Sequence, residues 1–216
     1  MSWPNVQDAI DSVVQPAGYR CELLRRSEIA PLIAALATWF PGIAVGTASC
    51  YLRETFYSDK VLFEDATDRD IIVLVAKTGN DLVGMVSYER DRDCAVLYGR
   101  VVAVSQQHRR SGLGETLALL QEAVARAIGM GMTYVLATLS SPYIQLMAEK
   151  HGWHLFGIVP GFDRELLTSG EVKRVYEAVY CKVLVPDEEL LRPRAENLTA
   201  KTRALFDLLF PGKVVE

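Results

Sequence analysis

The stretch that decides the fold is Val104-Ser105-Gln106-Gln107-His108-Arg109-Arg110-Ser111-Gly112-Leu113-Gly114. An apolar run over residues 95–104 leads into it, and a segment with apolar residues three or four apart, residues 113–128, leads out. This order predicts a strand, then a short basic turn that contains glycine, then an amphipathic helix. The N-terminus of a helix offers N–H groups without intrahelical partners, and two arginines add positive charge. The turn therefore predicts an anion site, most simply for a phosphate or pyrophosphate.

Each part of this turn has a physical role. Gly112 and Gly114 have no Cβ, so a ligand can approach the backbone closely. The alternative is an ordinary helix start that contains glycine and is solvated by its basic residues. Two other phosphate-binding patterns are missing from the sequence: the G-x-x-x-x-G-K-[ST] loop, and a G-x-G-x-x-G that opens an early βαβ unit. A nucleoside-triphosphate loop and a dinucleotide fold are therefore disfavoured.

Composition narrows the class of protein. The chain has 216 residues, of which 50% are hydrophobic, and a net charge of −4, so it can bury one sizeable core. The acidic balance argues against a broad nucleic-acid-binding face. Four widely spaced cysteines without a C-x-x-C pair predict reduced core thiols and no metal site: Cys21, Cys50, Cys94 and Cys181. With neither a long apolar span nor a basic, apolar leader, we expect no membrane segment and a cytoplasmic protein.

The order of predicted elements indicates an α+β fold with a mixed sheet. A strand and two helices, the second over residues 47–57, precede a hairpin of strands 71–76 and 82–89. A strand over 94–104 and the glycine turn follow, and further strands and a short helix continue to residue 185. We expect an N-terminal extension over 1–18, one domain over 19–185 and a helical C-terminal appendage over 186–216.

The glycine turn resembles motif A of the GNAT superfamily of N-acetyltransferases, V-x-P-x-x-[QR]-x-x-G-x-[GA]. Val104, Arg109, Gly112 and Gly114 match, whereas Gln106 stands where proline is usual. The resemblance implies a GNAT-like mixed, mostly antiparallel sheet flanked by helices, and acetyl-CoA as co-substrate. In the family the turn holds the pyrophosphate and the preceding strand pairs with the pantetheine arm. The cofactor-binding residues carried over are Val102, Ala103, Val104, Arg109, Arg110, Ser111, Gly112, Leu113, Gly114, Glu115 and, from the next motif, Ser141.

A second motif of the family, N-x-x-A-x-x-L-Y-x-K-x-G-F, resembles residues 141–153. Lys150, Gly152 and Trp153 fit this pattern. Ser141 replaces a frequent asparagine, and Ala148 replaces the tyrosine that protonates the leaving CoA thiolate in many members. The role of general acid is therefore vacant at this position or lies elsewhere in the chain.

The general base is also missing from its two family positions. The glutamate of histone-type members falls on Tyr98 here, and that of ribosomal-protein-type members falls on Leu136. The remaining catalytic candidates are Tyr98, Glu89 and Tyr143. Each has a plainer alternative, such as a packed sheet tyrosine for Tyr98 or a solvated charge for Glu89. His151 is a further candidate whose alternative role is to cap its helix.

The resemblance implies an acetyl-CoA-dependent N-acetyltransferase that transfers an acetyl group to a primary amine by direct attack. The alternative is a non-catalytic acyl-CoA-binding sensor or regulatory module, suggested by the missing tyrosine and glutamates. We expect a small-molecule or peptide amine as acceptor, no metal, and neither nucleic acid nor membrane as a partner. The last strands or the C-terminal helix could form a homodimer.

Overall fold

A seven-stranded sheet forms the centre of the computed structural model, which describes residue 3 and residues 6–212. The strand order is β1-β2-β3-β4-β5-β7-β6, and every neighbouring pair is antiparallel except β4 and β5. The strands are β1 Arg20–Leu23, β2 Ile71–Thr78, β3 Asp81–Asp91, β4 Val96–Val104, β5 Met132–Thr138, β6 His154–Leu166 and β7 Val172–Val183. The expectation of a mixed, mostly antiparallel α+β fold is confirmed.

Six α-helices accompany the sheet in the described part of the chain. They are α1 Val6–Asp11, α2 Ile29–Trp39, α3 Glu54–Lys60, α4 Leu113–Ala127, α5 Tyr143–Lys150 and α6 Ala200–Leu209. None of them combines the length and hydrophobicity needed to cross a bilayer.

The strong hydrophobic patterns predicted the type of most elements, but several element boundaries were wrong. The segment predicted as one helix over 47–57 is a 3-10 turn, Thr47–Leu52, followed by α3, with Arg53 extended between them. Cys94 and Ala95 belong to the turn before β4 rather than to the strand, and Ala95 has a φ of +52°. The last two strands were predicted over residues 153–159 and 175–185. They extend further toward each other, to Leu166 and Val172, because β6 and β7 form a long hairpin, whereas β7 ends earlier than predicted, at Val183.

The two faces of the sheet bury separate apolar clusters. On one face, here called the α4 face, Leu74, Val86 and Leu97 pack with α1 and α4. On the other, the α2 face, Val73, Val75 and Met85 pack with α2, α3 and the 3-10 turn between them. Helix α5 covers β5 and β7 on the α4 face through Ala148, Trp153, Ala178 and Tyr180.

The terminal segments contact the domain. Val6, Ala9 and Ile10 of α1, within the predicted N-terminal extension, are buried against α4. In the predicted C-terminal appendage, Phe210 after α6 contacts Phe156 of β6, with 5.5 Å between ring centroids. Residues 1, 2, 4, 5 and 213–216 of these predicted extensions lie outside the described residues.

Candidate active site

The sheet splits between β4 and β5. These parallel strands pair over only four positions, from Val96 with Met132 to Gly99 with Val135, and then diverge. The split begins where β4 carries a β-bulge. Ser87 pairs with Val101 and Tyr88 with Gly99, so Arg100 is the extra residue of the bulge. Such a bulge bends its strand and disrupts the ladder locally.

A cleft opens at this split on the α4 face. It encloses about 700 Å³ including its mouth and lies between β4, β5, α4 and α5. Its walls are mostly apolar and include Val102, Leu136, Met147 and Trp153. Beyond Gly99, the edge of β4 that faces β5 pairs with none of the described strands, so its backbone groups are available to an extended ligand.

The predicted cofactor residues of β4 lie along this open edge. Val102, Ala103 and Val104 pair with β3 on one side, and the split lies on their other side. Val102 lines the cleft, whereas Ala103 is buried against the α2 face. The structure therefore places a strand with free backbone beside an apolar cleft, as the motif requires.

The glycine turn stands at the N-terminus of α4. Gly112 is the N-cap residue with a φ of +87°, and Arg110 before it has a φ of +66°. The first α-helical bond runs from the Thr116 N–H to the Gly112 carbonyl at 3.0 Å. The N–H groups of Gly114 and Glu115 therefore point outward from the first turn, as free donors do at a helix start.

Side chains of the turn stabilise its shape. Ser111 Oγ donates to the His108 carbonyl at 2.8 Å and accepts from the Leu113 N–H at 3.3 Å. Arg109 is exposed and its guanidinium lies over the Phe40 ring, 5.3 Å from the centroid. Both observations fit a preformed anion site with a cation beside it.

Tyr143 lies over this turn. A Cβ added to Gly114 would stand 3.0 Å from the Tyr143 hydroxyl, so the phenol covers the first turn of α4. Ser141 is exposed just before α5, where its Oγ accepts from the Tyr143 N–H at 3.4 Å. Both residues therefore lie at the start of α5, where Tyr143 is next to the glycine turn.

Glu115 connects α4 to the end of α5. Its Oε1 accepts from Lys150 Nζ at 2.6 Å and lies 2.8 Å from His151 Nε2. The hydrogen bond from Lys150 lowers the pKa of Glu115, and His151 adds to this effect. His151 follows the last residue of α5, and its N–H donates to the Ala148 carbonyl at 3.1 Å. These contacts join the two helices beside the cleft, and His151 serves as the C-terminal cap of α5.

Two of the three predicted catalytic residues meet on the other side of the sheet. Glu89 and Tyr98 are cross-strand partners on the α2 face, and Tyr98 stacks on Tyr134 with ring centroids 4.8 Å apart. Burial raises the pKa of Tyr98 further above its ordinary value, and nearby Arg100 offsets only part of that rise. The phenol therefore stays protonated at neutral pH. Tyr143, on the α4 face, does not join this pair.

Arg100 lies beside Glu89 and Tyr98 on the α2 face, and the sequence patterns did not predict it as a site residue. Its Nε donates to the Tyr51 hydroxyl at 3.1 Å, and its Nη1 is bonded to Glu89. Burial alone would lower the pKa of Arg100, but Tyr51 and Glu89 raise it, so the guanidinium stays charged. A single-residue bulge has no pattern in one sequence that would place this side chain.

Glu177 on β7 is the second site residue that was not predicted from the sequence. Only 7% of Glu177 is exposed, and its Oε2 has no hydrogen-bond partner among the described residues. Burial raises the pKa of this carboxyl to about 7, and the charge of Asp163 adds to the effect. The sequence held a signal, since Glu177 is the one acidic residue in the apolar run 175–185.

The loop 41–52 is fastened to β6 next to this group. Asp163 accepts from the Thr47 N–H at 2.8 Å and from Thr47 Oγ1 at 2.9 Å. Gly46 has a φ of +85°, and a Cβ there would collide with the Asp163 carboxylate. We call this contact the Thr47–Asp163 clasp.

These side chains form one group on the α2 face of the sheet, next to the Thr47–Asp163 clasp. We call it the α2-face group, and its members are Tyr51, Glu89, Tyr98, Arg100, Tyr134 and Glu177. In the described part of the chain, no three His, Cys, Asp or Glu side chains lie close enough to hold a metal ion. The candidate site therefore combines the glycine turn, an apolar cleft and, on the opposite face of the sheet, a carboxyl with an unusually high pKa.

Comparison with known proteins agrees with this geometry. The family model described as "Acetyltransferase (GNAT) family" matches residues 33–153. No curated protein sequence matches the chain.

Solved structures with a similar fold include three acetyltransferases. A Bacillus subtilis acetyltransferase in complex with CoA is 17% identical, with a TM-score of 0.57 over 77% of this chain and 99% of that one. A dodecameric spermidine N-acetyltransferase from Vibrio cholerae is 11% identical, with a TM-score of 0.60 over 77% and 94%. An aminoglycoside 6'-acetyltransferase type Ii is 17% identical, with a TM-score of 0.54 over 77% and 97%. At these identities the likeness shows the fold, while the family model covers more than half of the chain, so the chain belongs to the GNAT family and is an acetyltransferase.

Proposed function

We propose that this protein transfers the acetyl group of acetyl-CoA to a primary amine by direct attack of the amine nitrogen. The observation that carries the proposal is the split between β4 and β5. It opens the sheet between the glycine turn on the α4 face and the α2-face group on the other. A ligand laid in the split would present its thioester to an acceptor arriving from the other side. Bringing two reactants together in this way supplies much of the rate of such a transfer.

The residues present fit acetyl-CoA. The outward N–H groups of Gly114 and Glu115 and the arginines 109 and 110 suit a pyrophosphate. The open edge of β4 offers backbone groups to the two amides of a pantetheine arm, and the apolar cleft walls suit its methylene groups. We assign Val102, Ala103, Val104, the turn 109–115 and Ser141 to this substrate.

The roles of the predicted catalytic residues divide with their positions. We assign Tyr143 to the cofactor end, because its hydroxyl lies next to Gly114. Tyr98 and Glu89 belong to the acceptor side, where Tyr98 forms a stacked floor with Tyr134 and Glu89 binds Arg100. Ala148 is buried against Trp153, Ala178 and Tyr180, so the family's usual position for a proton-donating tyrosine supplies no acid.

The acceptor is a small-molecule or peptide amine. Two of the similar structures carry names that describe acetylation of amines, spermidine and an aminoglycoside. The acidic groups Glu89 and Glu177 of the α2-face group, with Asp163 close to Glu177, suit a cationic amine. Free thiols at Cys21, Cys50, Cys94 and Cys181 support a reducing, cytoplasmic location.

Homodimerisation belongs to the same proposal. Strand β6 is an edge of the sheet and exposes Leu155, Ile158 and Phe162. Exposed apolar side chains on an edge strand favour association. The net charge of −4 gives no support to a nucleic-acid partner.

The experiment incubates the protein with acetyl-CoA and a panel of amines and follows release of the CoA thiol. The panel holds spermidine, an aminoglycoside, an arylalkylamine and an N-terminal peptide. Thiol release that depends on the amine, with an acetylated amine found by mass spectrometry, supports the proposal. Tight binding of acetyl-CoA without transfer to any amine would identify an acyl-CoA-binding module instead.

A further inference from the structure

We propose that Glu177 is the general base of this acetyltransferase, the group that takes a proton from the acceptor amine. The inference deepens the proposed function and depends on it. It is carried by a buried carboxyl with a free oxygen, located on the acceptor side of the split.

The position of Glu177 follows from the register of β7. Ala178 and Tyr180 pack under α5 on the α4 face, so their neighbour Glu177 projects to the α2 face. Glu177 pairs with Thr138 on β5, two residues beyond Leu136, in the part of β5 that has left β4. The carboxyl therefore lies on the α2 face, one strand away from the open part of the split.

The surroundings of Glu177 leave it able to accept a proton. Only 7% of the residue is exposed, and Oε2 has no hydrogen-bond partner among the described residues. A buried carboxylate without a compensating cation or donor is unfavourable, so the group gains from a cationic ligand beside it. An ammonium group supplies both the charge and the donors that this site lacks.

The titratable groups that interact with Glu177 come from β6, the neighbour of β7, and from β4 beyond β5. Asp163 on β6 adds a negative charge, and Tyr98 on β4 lies close enough that the charge of Glu177 raises the pKa of its phenol. Asp163 is engaged by Thr47 and by the Arg164 N–H, which donates at 2.7 Å. Neither neighbour neutralises Glu177, and the negative charge of Asp163 favours uptake of a proton by it.

The other candidates are less suited to this role. Glu89 is bonded to the guanidinium of Arg100, which already compensates its charge. Tyr98 stays protonated, since burial raises the pKa of its phenol. Among the acidic and phenolic groups described on the α2 face, Glu177 combines burial with a free oxygen and a pKa of about 7, in the range that suits a base at neutral pH.

The proton transfers then balance as follows. The ionised Glu177 carboxylate removes one proton from the ammonium form of the acceptor, directly or through one water, and leaves a neutral amine. The nitrogen lone pair forms a bond to the acetyl carbonyl carbon, and the bond between that carbon and sulfur breaks. The second nitrogen proton passes to the departing thiolate to give CoA thiol, and Glu177 returns its proton to solvent.

The test compares wild-type protein with Glu177→Gln, using the best amine of the panel. We expect kcat/KM to fall about 100-fold near neutral pH, in the usual range for loss of a general base. The wild-type profile should rise with pH through about 7, the pKa of Glu177. The variant should lose this step and follow only the ionisation of the free amine. The gap between the two should therefore narrow at higher pH.

Two controls separate this role from a structural one. Glu171→Gln removes the same charge from an exposed residue in the turn of the same hairpin and should leave the profile unchanged. The affinity of Glu177→Gln for CoA, measured by calorimetry, should match the wild type because Glu177 lies on the acceptor side. An unchanged rate and pH profile in Glu177→Gln would overturn the proposal.

A readout without an acceptor keeps the inference independent of the proposed function. Carboxyl-labelled glutamate observed by NMR in the CoA-bound protein should show one resonance that titrates near 7 and is missing in Glu177→Gln. A Glu177 pKa near that of a free glutamate would overturn the assignment even where acetyl transfer is observed. Failure of the wild type to transfer acetyl to any amine, with a Glu177 that titrates near 7, would instead count against the proposed function.

Discussion

On the α4 face of the split, the groups assigned to the cofactor come mainly from one continuous segment, 102–115, and many of them are backbone N–H and carbonyl groups. On the α2 face, the groups assigned to the acceptor side are side chains brought together from β3, β4, β5, β7 and the turn before α3. The first region depends on the path of the chain, while the second depends on particular side chains. Mutations should therefore act on the two regions in different ways.

The largest effect is expected where backbone access is blocked. Gly114→Val would place a side chain over the outward N–H groups, next to the Tyr143 hydroxyl that already lies 3.0 Å from an added Cβ. We expect the affinity for CoA to fall about 100-fold, or about 2.7 kcal/mol, by titration calorimetry. Gly157→Val on β6 is the matched control, because a Cβ there meets no atom within 4 Å. An unchanged affinity in a folded Gly114→Val would remove the turn from the cofactor site.

A smaller effect, on stability rather than binding, is expected from Glu177→Gln. The pKa of this carboxyl is raised on folding to about 7, so the folded state holds the proton more tightly than the unfolded state. Its contribution to stability is full below the unfolded pKa and is lost as the pH rises through about 7. The variant should therefore exceed the wild type by about 2 kcal/mol at about pH 8, with little difference at about pH 4.

Urea unfolding at the two pH values measures this difference, and Glu171→Gln again serves as the control. Equal stabilities of wild type and Glu177→Gln at both pH values would show that the carboxyl is not strained by its burial. The α2 face would then lose the feature that most distinguishes it from the cofactor side.

The smallest effect is expected at Tyr98. Tyr98→Phe keeps the stacking on Tyr134 and removes a phenol that is protonated at neutral pH, so kcat should change by no more than about threefold, or about 0.6 kcal/mol. Steady-state kinetics beside Tyr176→Phe, an exposed tyrosine of β7, measures this. A loss of about 100-fold would return acid–base chemistry to Tyr98 and make the base at Glu177 unnecessary.

The same contrast explains what could be predicted from the sequence. The strand, turn and helix around Gly112, the hairpin of β2 and β3, and the helix α4 follow from local periodicity and were predicted with small boundary errors. Arg100 and Glu177 were missed because their importance depends on a bulge and on the pairing of β7 with β5. Non-local pairing of this kind leaves little trace in local sequence patterns: the lone acidic residue in the run 175–185 marks Glu177 as unusual but does not say which groups it meets.

The 3-10 turn at Thr47–Leu52 shows the same limit from the other direction. Its residues were predicted as part of a helix, but the segment follows Gly46 with a φ of +85° and binds β6 through Asp163. A contact with a strand more than a hundred residues away decides the local conformation here. Tertiary structure overrides local propensity most often at such loops.

The four-position pairing between β4 and β5 has a mechanical consequence. It makes the sheet two half-sheets, β1–β4 and β5–β7, joined along one side by a seam that ends at Gly99 and Val135. A ligand that hydrogen-bonds to the open edge of β4 acts as an additional strand and extends the seam along its full length. In the acetyl-CoA complex that we propose, the pantetheine arm would therefore stiffen the joint between the halves, and the proposed acceptor side, built from both, would take its shape from that joint.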